Sequence, residues 1–403
     1  MTNNTNRQAP VLRFKGFSDD WEQRKLKDIV MRINRKNESL ESTLPLTISA
    51  QYGLVKQNSF FNKQVASKNL KNYILLRKGD FAYNKSYSKD SPYGAIKRLN
   101  CYPKGVISSL YIAFKPNGIN SKFLEIYYES DKWYKEIYKR AAEGARNHGL
   151  LNISPHDFFD TLLKISTSKK EQEKIGILLS YVEKLILLQQ RKLNDLEQIK
   201  QALEDYIFPD NNENRKLIFN KNKWKHKKIK DIFEERNIRD GKENLLTVSI
   251  SKGVVPFNSM KREINSSSDK SNYKVVKIGD IAYNSMRMWQ GACGVSKYDG
   301  IVSPAYTVIR AKEHENALFY FYYFKNERMK FIFQKNSQGL TSDTWNLKFP
   351  LLKRITVLTP ENEKEQIRVS KLFNKVSLIV KQTGKEIAYL NLVKKFLLQK
   401  MFF

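Results

Sequence analysis

Two long segments of the chain repeat apolar residues in alternating steps of four and three. In the first segment, counted from Ile175 to Ile207, eight of the ten positions are apolar, and the exceptions are Gln189 and Lys200. This spacing predicts a helix of about 33 residues, roughly 50 Å long, that carries a coiled-coil seam. The seam includes Leu179, Val182, Ile186, Leu193, Leu196 and Leu203.

The second segment, from Val369 to Met401, has the same pattern, and its polar exceptions Thr383 and Lys394 stand at the positions that match Gln189 and Lys200. Matched polar residues in a seam favour pairing of the two helices with each other. The alternative is that each amphipathic helix packs only on its own domain. The second seam includes Phe373, Val376, Val380, Ile387, Leu390 and Leu397.

The helices end two halves of a repeat with a period near 200 residues. The halves share five blocks in the same order, and the clearest is Gly-Asp-x-Ala-Tyr-Asn at 79–84 and at 279–284. The other pairs are 21–29 with 224–232, 46–49 with 246–249, Gly53 with Gly253, and 105–108 with 300–303. Each long helix also begins near a Lys-Glu-Gln sequence, at 170–172 and at 364–366. Collinear blocks of this kind predict two copies of one fold.

Each globular half is predicted to mix helices and strands. Ile74 to Tyr83 and Val275 to Tyr283 alternate as strands, with Gly-Asp turns, and the aromatic segments 123–141 and 318–333 have helical spacing with most rings in the core. We expect an α+β chain in which two tandem domains are separated by two long helices in an antiparallel coiled coil with pseudo-two-fold symmetry. The expected divisions are a leader at 1–20, a first domain at 21–168, a first helix at 169–209, a linker at 210–223, a second domain at 224–360 and a second helix at 361–403.

The net charge of +31 adds the most to what the pattern of apolar residues indicates. Residues 1–210 contribute +12 and the remainder +19, so both halves are basic, which favours a polyanion such as nucleic acid as the partner. A solvated Lys-rich surface is the alternative. The polar start and the lack of a long apolar stretch predict a cytoplasmic protein without a membrane contact, and Cys101 and Cys293 are expected to be buried core thiols.

Catalytic motifs are missing from the sequence. It contains no Asn/Asp-Pro-Pro-aromatic sequence for a flipped adenine and no phosphate-binding Gly-x4-Gly-Lys-Ser/Thr loop. The four histidines are scattered without metal-ligand spacing. These observations favour a protein without an active site, a metal or a cofactor of its own.

The doubled order of these blocks and helices resembles the specificity subunits of type I restriction-modification systems over nearly the whole chain. The resemblance implies two target-recognition domains, each for one half of a split double-stranded DNA site in a phage-defence system. It also implies two modification subunits that methylate adenine N6 and restriction subunits with translocase and nuclease activity. S-adenosylmethionine, ATP and Mg would bind to those partners and not to this chain.

Reading of DNA requires Arg, Lys, Asn, Gln and aromatic side chains on loops. The halves agree up to Tyr-Asn at 83–84 and 283–284 and diverge after them, as expected for different reading loops on a shared scaffold. The candidates in the first half are Tyr83, Asn84, Lys85, Tyr87, Lys89, Arg140, Arg146 and Asn147. The candidates in the second half are Tyr283, Asn284, Arg287, Trp289, Gln290, Gln334, Lys335, Asn336 and Gln338.

Three other functions are compatible with parts of the pattern: a stand-alone DNA-binding protein, an enzyme with an unrecognised site, and a scaffold that does not bind DNA. The pattern does not determine the bases of either half-site, the length of the gap between them, the individual reading residues or the presence of a restriction subunit.

Overall fold

The computed structural model describes residues 8–49, 52–58, 69–86, 91–141, 151–208, 224–260 and 269–403, which form two compact units. Unit 1 comprises residues 1–190 and 385–403, and unit 2 comprises residues 191–384. Each unit therefore contains one globular half of the repeat and a part of each long helix.

The two halves have the same strand topology. In unit 1, a four-stranded antiparallel sheet has the order β2-β9-β6-β7, and two-stranded pairs join β1 to β10, β3 to β4 and β5 to β8. The strands are β1 Glu22–Lys25, β2 Val30–Arg32, β3 Leu46–Ser49, β4 Gly53–Lys56, β5 Ile74–Arg77, β6 Phe81–Asn84, β7 Ala95–Arg98, β8 Lys104–Ile107, β9 Ile112–Pro116 and β10 Leu162–Ile165.

Unit 2 repeats this arrangement with the order β12-β19-β16-β17 and with pairs β11 to β20, β13 to β14 and β15 to β18. The strands are β11 Lys225–Lys228, β12 Phe233–Glu235, β13 Leu246–Ser249, β14 Gly253–Pro256, β15 Lys274–Val276, β16 Ile281–Asn284, β17 Cys293–Val295, β18 Gly300–Val302, β19 Tyr306–Ala311 and β20 Thr356–Thr359. The repeat predicted from the sequence is thus a repeat of the fold.

The helices follow the same division. They are α1 Leu26–Ile29, α2 Ser121–Tyr127, α3 Tyr134–Arg140, α4 Pro155–Phe159, α5 Lys169–Ile207, α6 Ile229–Ile232, α7 Ala317–Lys325, α8 Glu327–Lys335, α9 Phe349–Leu352 and α10 Glu363–Lys400. The long helices α5 and α10 contain 39 and 38 residues, so each is longer than its 33-residue seam segment and slightly shorter than the expected ranges 169–209 and 361–403. None of the helices in the described residues is long and apolar enough to cross a membrane.

The predicted seam is the protected face of both long helices. All ten seam positions of α5, and all ten from Val369 in α10 to Met401 just after it, are buried or half-buried, while most of the intervening positions are exposed. In unit 1, Lys394 of α10 forms an ion pair of 2.8 Å with Glu183 of α5. In unit 2, the ring of Phe208, just after α5, stacks 5.4 Å from that of Phe373 in α10. Early turns of one helix thus meet late turns of the other, and the helices are antiparallel.

The shared Trp and Lys-Glu-Gln blocks join each long helix to its globular half. The indole Nε1 of Trp21 donates to Glu171 Oε2 at 3.1 Å, and that of Trp224 donates to Glu365 Oε1 at the same distance. The following glutamine side chain, Gln172 or Gln366, accepts a backbone hydrogen bond of 2.8 Å from the residue before α2 or α7. The residues that recur in the sequence therefore make equivalent contacts in the two halves.

The shared Gly-Asp blocks form tight turns before the central strands β6 and β16. Gly79 and Gly279 have φ values of +96° and +91°, which residues with a Cβ rarely adopt. The Asp80 carboxylate accepts a hydrogen bond of 2.8 Å from the backbone of Arg77 and forms an ion pair with Arg35. The aspartate of the second turn has equivalent partners, so the predicted strands and turns are confirmed.

Aromatic side chains dominate the main core of each unit. The predicted aromatic segments form two helices in each half, α2 with α3 and α7 with α8, and most of their rings are buried. Phe402 after α10 enters the core of unit 1, and Phe208 enters that of unit 2. One cysteine prediction is wrong: Cys293 in β17 is buried, but Cys101 is exposed because it lies in the turn between β7 and β8.

Candidate nucleic-acid interface

In unit 2, the first predicted loop follows β16 as a short, closed turn. The side chain of Asn284 accepts a hydrogen bond of 3.0 Å from the backbone of Met286, and residues 288–290 form a single 3-10 turn. Gly291 ends that turn with a φ of +74°. Local hydrogen bonds therefore determine the direction in which Arg287, Trp289 and Gln290 leave the sheet.

The second predicted loop of unit 2 begins at the end of α8. Gln338 and Asn346 exchange two backbone hydrogen bonds, of 3.1 and 2.7 Å, and close a turn over residues 339–345. The backbone of Leu347 then donates to the carbonyl of Ser285 at 2.8 Å, which places this turn beside the first loop.

Side chains join the two loops as well. The rings of Trp289 and Trp345 meet edge to face, with centroids 5.1 Å apart. Arg287 lies 3.6 Å from the carboxylate of Asp343, a weak contact because Arg287 is partly exposed and Asp343 is largely exposed. The sequence thus predicted two loops, and the fold makes them one surface. Trp345 and Asp343 were missed, although a tryptophan in a polar stretch is a usable signal of a binding surface.

An open cleft lies beside the first loop. It has a volume of about 390 Å³ and is lined by Val248, Ser249, Ile250, Ser251, Asn284, Arg287, Gln290 and Ala292. Amide, guanidinium and hydroxyl groups therefore face one concave surface, and these are the groups that read base edges and bind phosphates.

Lysines of α7 and α8 lie behind the same loop. Lys325 donates a hydrogen bond of 2.6 Å to the carbonyl of Ile250, and a Cβ at Gly291 would lie 3.2 Å from the side chain of Lys330. Burial lowers the pKa of Lys325, and the neighbouring charges of Lys330 and Lys200 lower it further. The lysine side chains behind the loop therefore give this surface a positive charge, which favours binding of a polyanion.

The end of α8 supplies the remaining candidates of unit 2. Lys335 and Asn336 are exposed, and the ammonium group of Lys335 lies 4.4 Å from the centre of the Phe331 ring. Gln338 is also exposed, while Gln334 is half-buried. All four lie on the segment that leads into the closed turn.

The first loop of unit 1 has the same connection. The backbone of Leu151 donates to the carbonyl of Lys85 at 2.9 Å, as Leu347 does to Ser285. Asn84 accepts hydrogen bonds from Ser86, and Lys85 donates to the carbonyl of Ile153 at 3.3 Å. The other loop candidates, Tyr87, Lys89, Arg146 and Asn147, lie outside the described residues.

Three candidate residues are buried or paired with other residues of their own unit. Tyr83 and Tyr283 are fully buried, and Tyr83 stacks 4.7 Å from the ring of Phe158. Arg140 pairs with Glu136 at 2.6 Å and donates to the carbonyl of Asp160 at 2.9 Å, which ties α3 to the end of α4. We therefore exclude the two tyrosines from the proposed DNA contacts and assign Arg140 to the packing of α3 against the end of α4.

The described residues contain no group of three or more His, Cys, Asp or Glu side chains arranged to hold a metal ion. The surface of unit 2 is instead a set of hydrogen-bonding and aromatic groups over positive charge. Such a surface can bind and discriminate a polyanion.

Comparison with known proteins gives one family match and one match of the whole fold. Residues 221–389 match the family model of the type I restriction modification DNA specificity domain. The fold of the chain is similar to that of the type I restriction-modification system S subunit from M. genitalium, with a TM-score of 0.62, 15% identity, and coverage of 98% of this chain and 99% of that one. No curated protein matches the sequence.

Two further structures give lower scores. The HsdS subunit from Thermoanaerobacter tengcongensis has a TM-score of 0.47 and 15% identity over 95% of this chain and 96% of its own. A chain from a structure on complex assembly and conformational transition of the type I R-M system has a TM-score of 0.48 and 14% identity over 97% of this chain and 99% of its own.

Residues 221–389 thus match a DNA specificity domain, and the chain as a whole has a fold similar to that of a type I restriction-modification S subunit.

Proposed function

We propose that this chain selects a bipartite DNA site for a type I restriction-modification complex. Each unit would read one half-site, and the coiled coil would set the unread gap between the halves. The observation that carries the proposal is the exact correspondence of strand order in the two units, combined with different loops after β6 and β16. Two copies of one scaffold with different loops suit two different half-sites.

The reading surface in unit 2 would consist of the two joined loops. Arg287, Gln290 and Asn284 would contact base edges from the cleft, while Lys335 and Asn336 would contact phosphates or sugars. In unit 1, Asn84 and Lys85 would occupy the equivalent position, and the proposal retains Tyr87, Lys89, Arg146 and Asn147.

The long helices would also dock two modification subunits. Both helices expose apolar side chains outside the seam, at spacings that form stripes along each helix in unit 1, and exposed apolar surface of this extent is typical of an interface. The stripes are Ile177, Tyr181, Leu185 and Leu188 on α5, and Tyr389, Leu392 and Phe396 on α10.

The partners would supply the chemistry. The modification subunits would methylate adenine N6 with S-adenosylmethionine, and restriction subunits would add ATP- and Mg-dependent translocation and cleavage of phage DNA. The complex would act in the cytoplasm, where these substrates are present.

The test is to co-express this chain with its modification subunit in a host that lacks adenine methylation and to map the methylated adenines. We expect a motif of two short sequences separated by a constant gap, present only when both proteins are expressed. The control is a chain with Tyr181→Ser and Leu185→Ser, which should fold but lose the modification subunit and the methylation. A chain that binds DNA but never associates with the modification subunit would contradict the proposal and favour a stand-alone DNA-binding protein.

A further inference from the structure

The turn over residues 339–345 in unit 2 presents one leucine entirely to solvent. Leu340 has a relative exposure of 101%, the highest of any large apolar side chain in the described ranges. Its neighbours Thr341, Ser342, Asp343 and Thr344 are also exposed but polar. Leu340 therefore does not contribute to the hydrophobic core of unit 2.

Hydrogen bonds hold this turn in one conformation. The carbonyl of Thr341 accepts from the backbone of Thr344 at 3.0 Å, from that of Trp345 at 3.1 Å, and from the hydroxyl of Thr344 at 2.9 Å. Gly339 has a φ of +140°, and a Cβ there would lie 2.6 Å from the carbonyl group of Thr344. The tip is thus ordered before any partner binds, so binding does not need to order it.

The tip belongs to the proposed reading surface. Trp345, at the end of the turn, packs on Trp289, and Asp343 lies beside Arg287. On the other loop Met286 is 40% exposed, so both loops offer one apolar side chain among polar groups. Proteins that distort duplex DNA insert Leu, Met or similar side chains between base pairs, next to cationic groups that bind the backbone.

We propose that Leu340 is a wedge that enters a base step of the half-site bound by unit 2. This inference rests on the proposed function, because it assumes that the loop surface faces DNA. Insertion would bury the leucine against base faces, unstack the step and make recognition depend on how easily that step deforms. A protein partner is disfavoured because a single leucine within a polar fringe is far smaller than the apolar patch of a stable protein interface.

The experiment uses the complete complex with its modification subunits on a duplex that carries the mapped motif. 2-Aminopurine replaces one base at a time in both half-sites, except at the methylated adenines and their paired bases, since those adenines leave the stack for catalysis. We expect fluorescence to rise on binding at one step of one half-site only. Leu340→Ala should abolish that rise and lower the affinity for the motif about tenfold, while binding to unrelated DNA stays unchanged.

The matched control is Ile278→Ala, which removes another exposed aliphatic side chain of unit 2, at the turn before β16. It should leave both signals at the wild-type level. Leu340→Phe, which keeps an apolar tip, should retain the fluorescence rise.

The outcomes separate this inference from the proposed function. Sequence-specific binding by the wild type without unstacking, or unstacking that persists in Leu340→Ala, overturns the wedge alone. Loss of modification-subunit binding in Leu340→Ala with normal unstacking also overturns it, because the leucine would then contact protein. Absence of any sequence-specific binding by the wild type overturns both proposals.

Discussion

At the scale of single residues, repeated and unrepeated positions have different roles. Residues that recur in both halves, such as Trp21 and Trp224, make equivalent contacts inside each unit. Residues that differ after the shared Tyr-Asn pair, such as Arg287, lie on the joined loops. We therefore expect specificity to depend on the residues that the scaffold leaves free to vary.

Substitution of Arg287 tests directly whether the unrepeated loop residues read DNA. Arg287→Ala should weaken binding of the half-site bound by unit 2, or relax one base in it, by about 1–3 kcal/mol if the guanidinium reads a guanine. Methylation mapping and binding assays with duplexes altered at each position of the motif would measure this. Arg239→Ala, at an exposed arginine outside the two loops, is the control. An unchanged motif and affinity in Arg287→Ala would remove it from the reading surface.

The burial of the central strand β6 differs from what its sequence pattern implies. Alternation along a strand implies one exposed face, yet Phe81, Ala82 and Tyr83 of β6 are all buried. The reason is that β6 is central in its sheet, with the aromatic core on one face and a smaller aliphatic core on the other. Burial on both faces depends on segments distant in the chain, which a local pattern does not report.

At the scale of elements, a buried ion pair attaches the start of α5 to the first domain. Glu171 has no exposed side-chain surface, and it accepts hydrogen bonds from Arg13, Trp21 and Ser166 at 2.7, 3.1 and 2.5 Å. Burial by itself would raise the pKa of Glu171, but the hydrogen bonds and the charge of Arg13 lower it below its usual value. Arg13 belongs to the segment expected to be a leader, so part of that segment is integral to unit 1.

Glu171→Gln should destabilise unit 1 by about 3–5 kcal/mol, because it leaves the buried guanidinium of Arg13 without its counter-charge. Thermal or urea unfolding would measure the loss, with Glu173→Gln at an exposed position of the same helix as the control. A loss as small as that of the control would show that the ion pair does not hold the helix.

The lowered pKa also sets the direction of a pH effect. The folded state holds the proton of Glu171 less tightly than the unfolded state, so the stabilisation is complete above the unfolded pKa of about 4.3 and is lost as the pH falls through the folded pKa. Glu171→Gln should therefore reduce the acid-dependent loss of stability relative to the wild type.

At the scale of the whole molecule, the net charge of +31 is distributed over both halves. If both units bind DNA, the logarithm of the affinity should fall linearly with the logarithm of salt concentration, with a slope of about −0.9 for each phosphate contacted. Lys335→Gln should make this slope smaller by about one, while Leu340→Ala should leave it unchanged. A slope near zero would mean that the charge is only a solvated surface.

The sequence by itself determined the duplicated fold and the paired helices, because seam spacing, turn glycines and repeated contact residues are local signals that recur in order. The tertiary structure alone decided which side chains meet. Trp289 and Trp345 are separated by 56 positions, and their contact depends on the packing of α7 and α8 between them. The exposure of Leu340 and the burial of Tyr83 were decided in the same way, since each depends on what the rest of the chain covers.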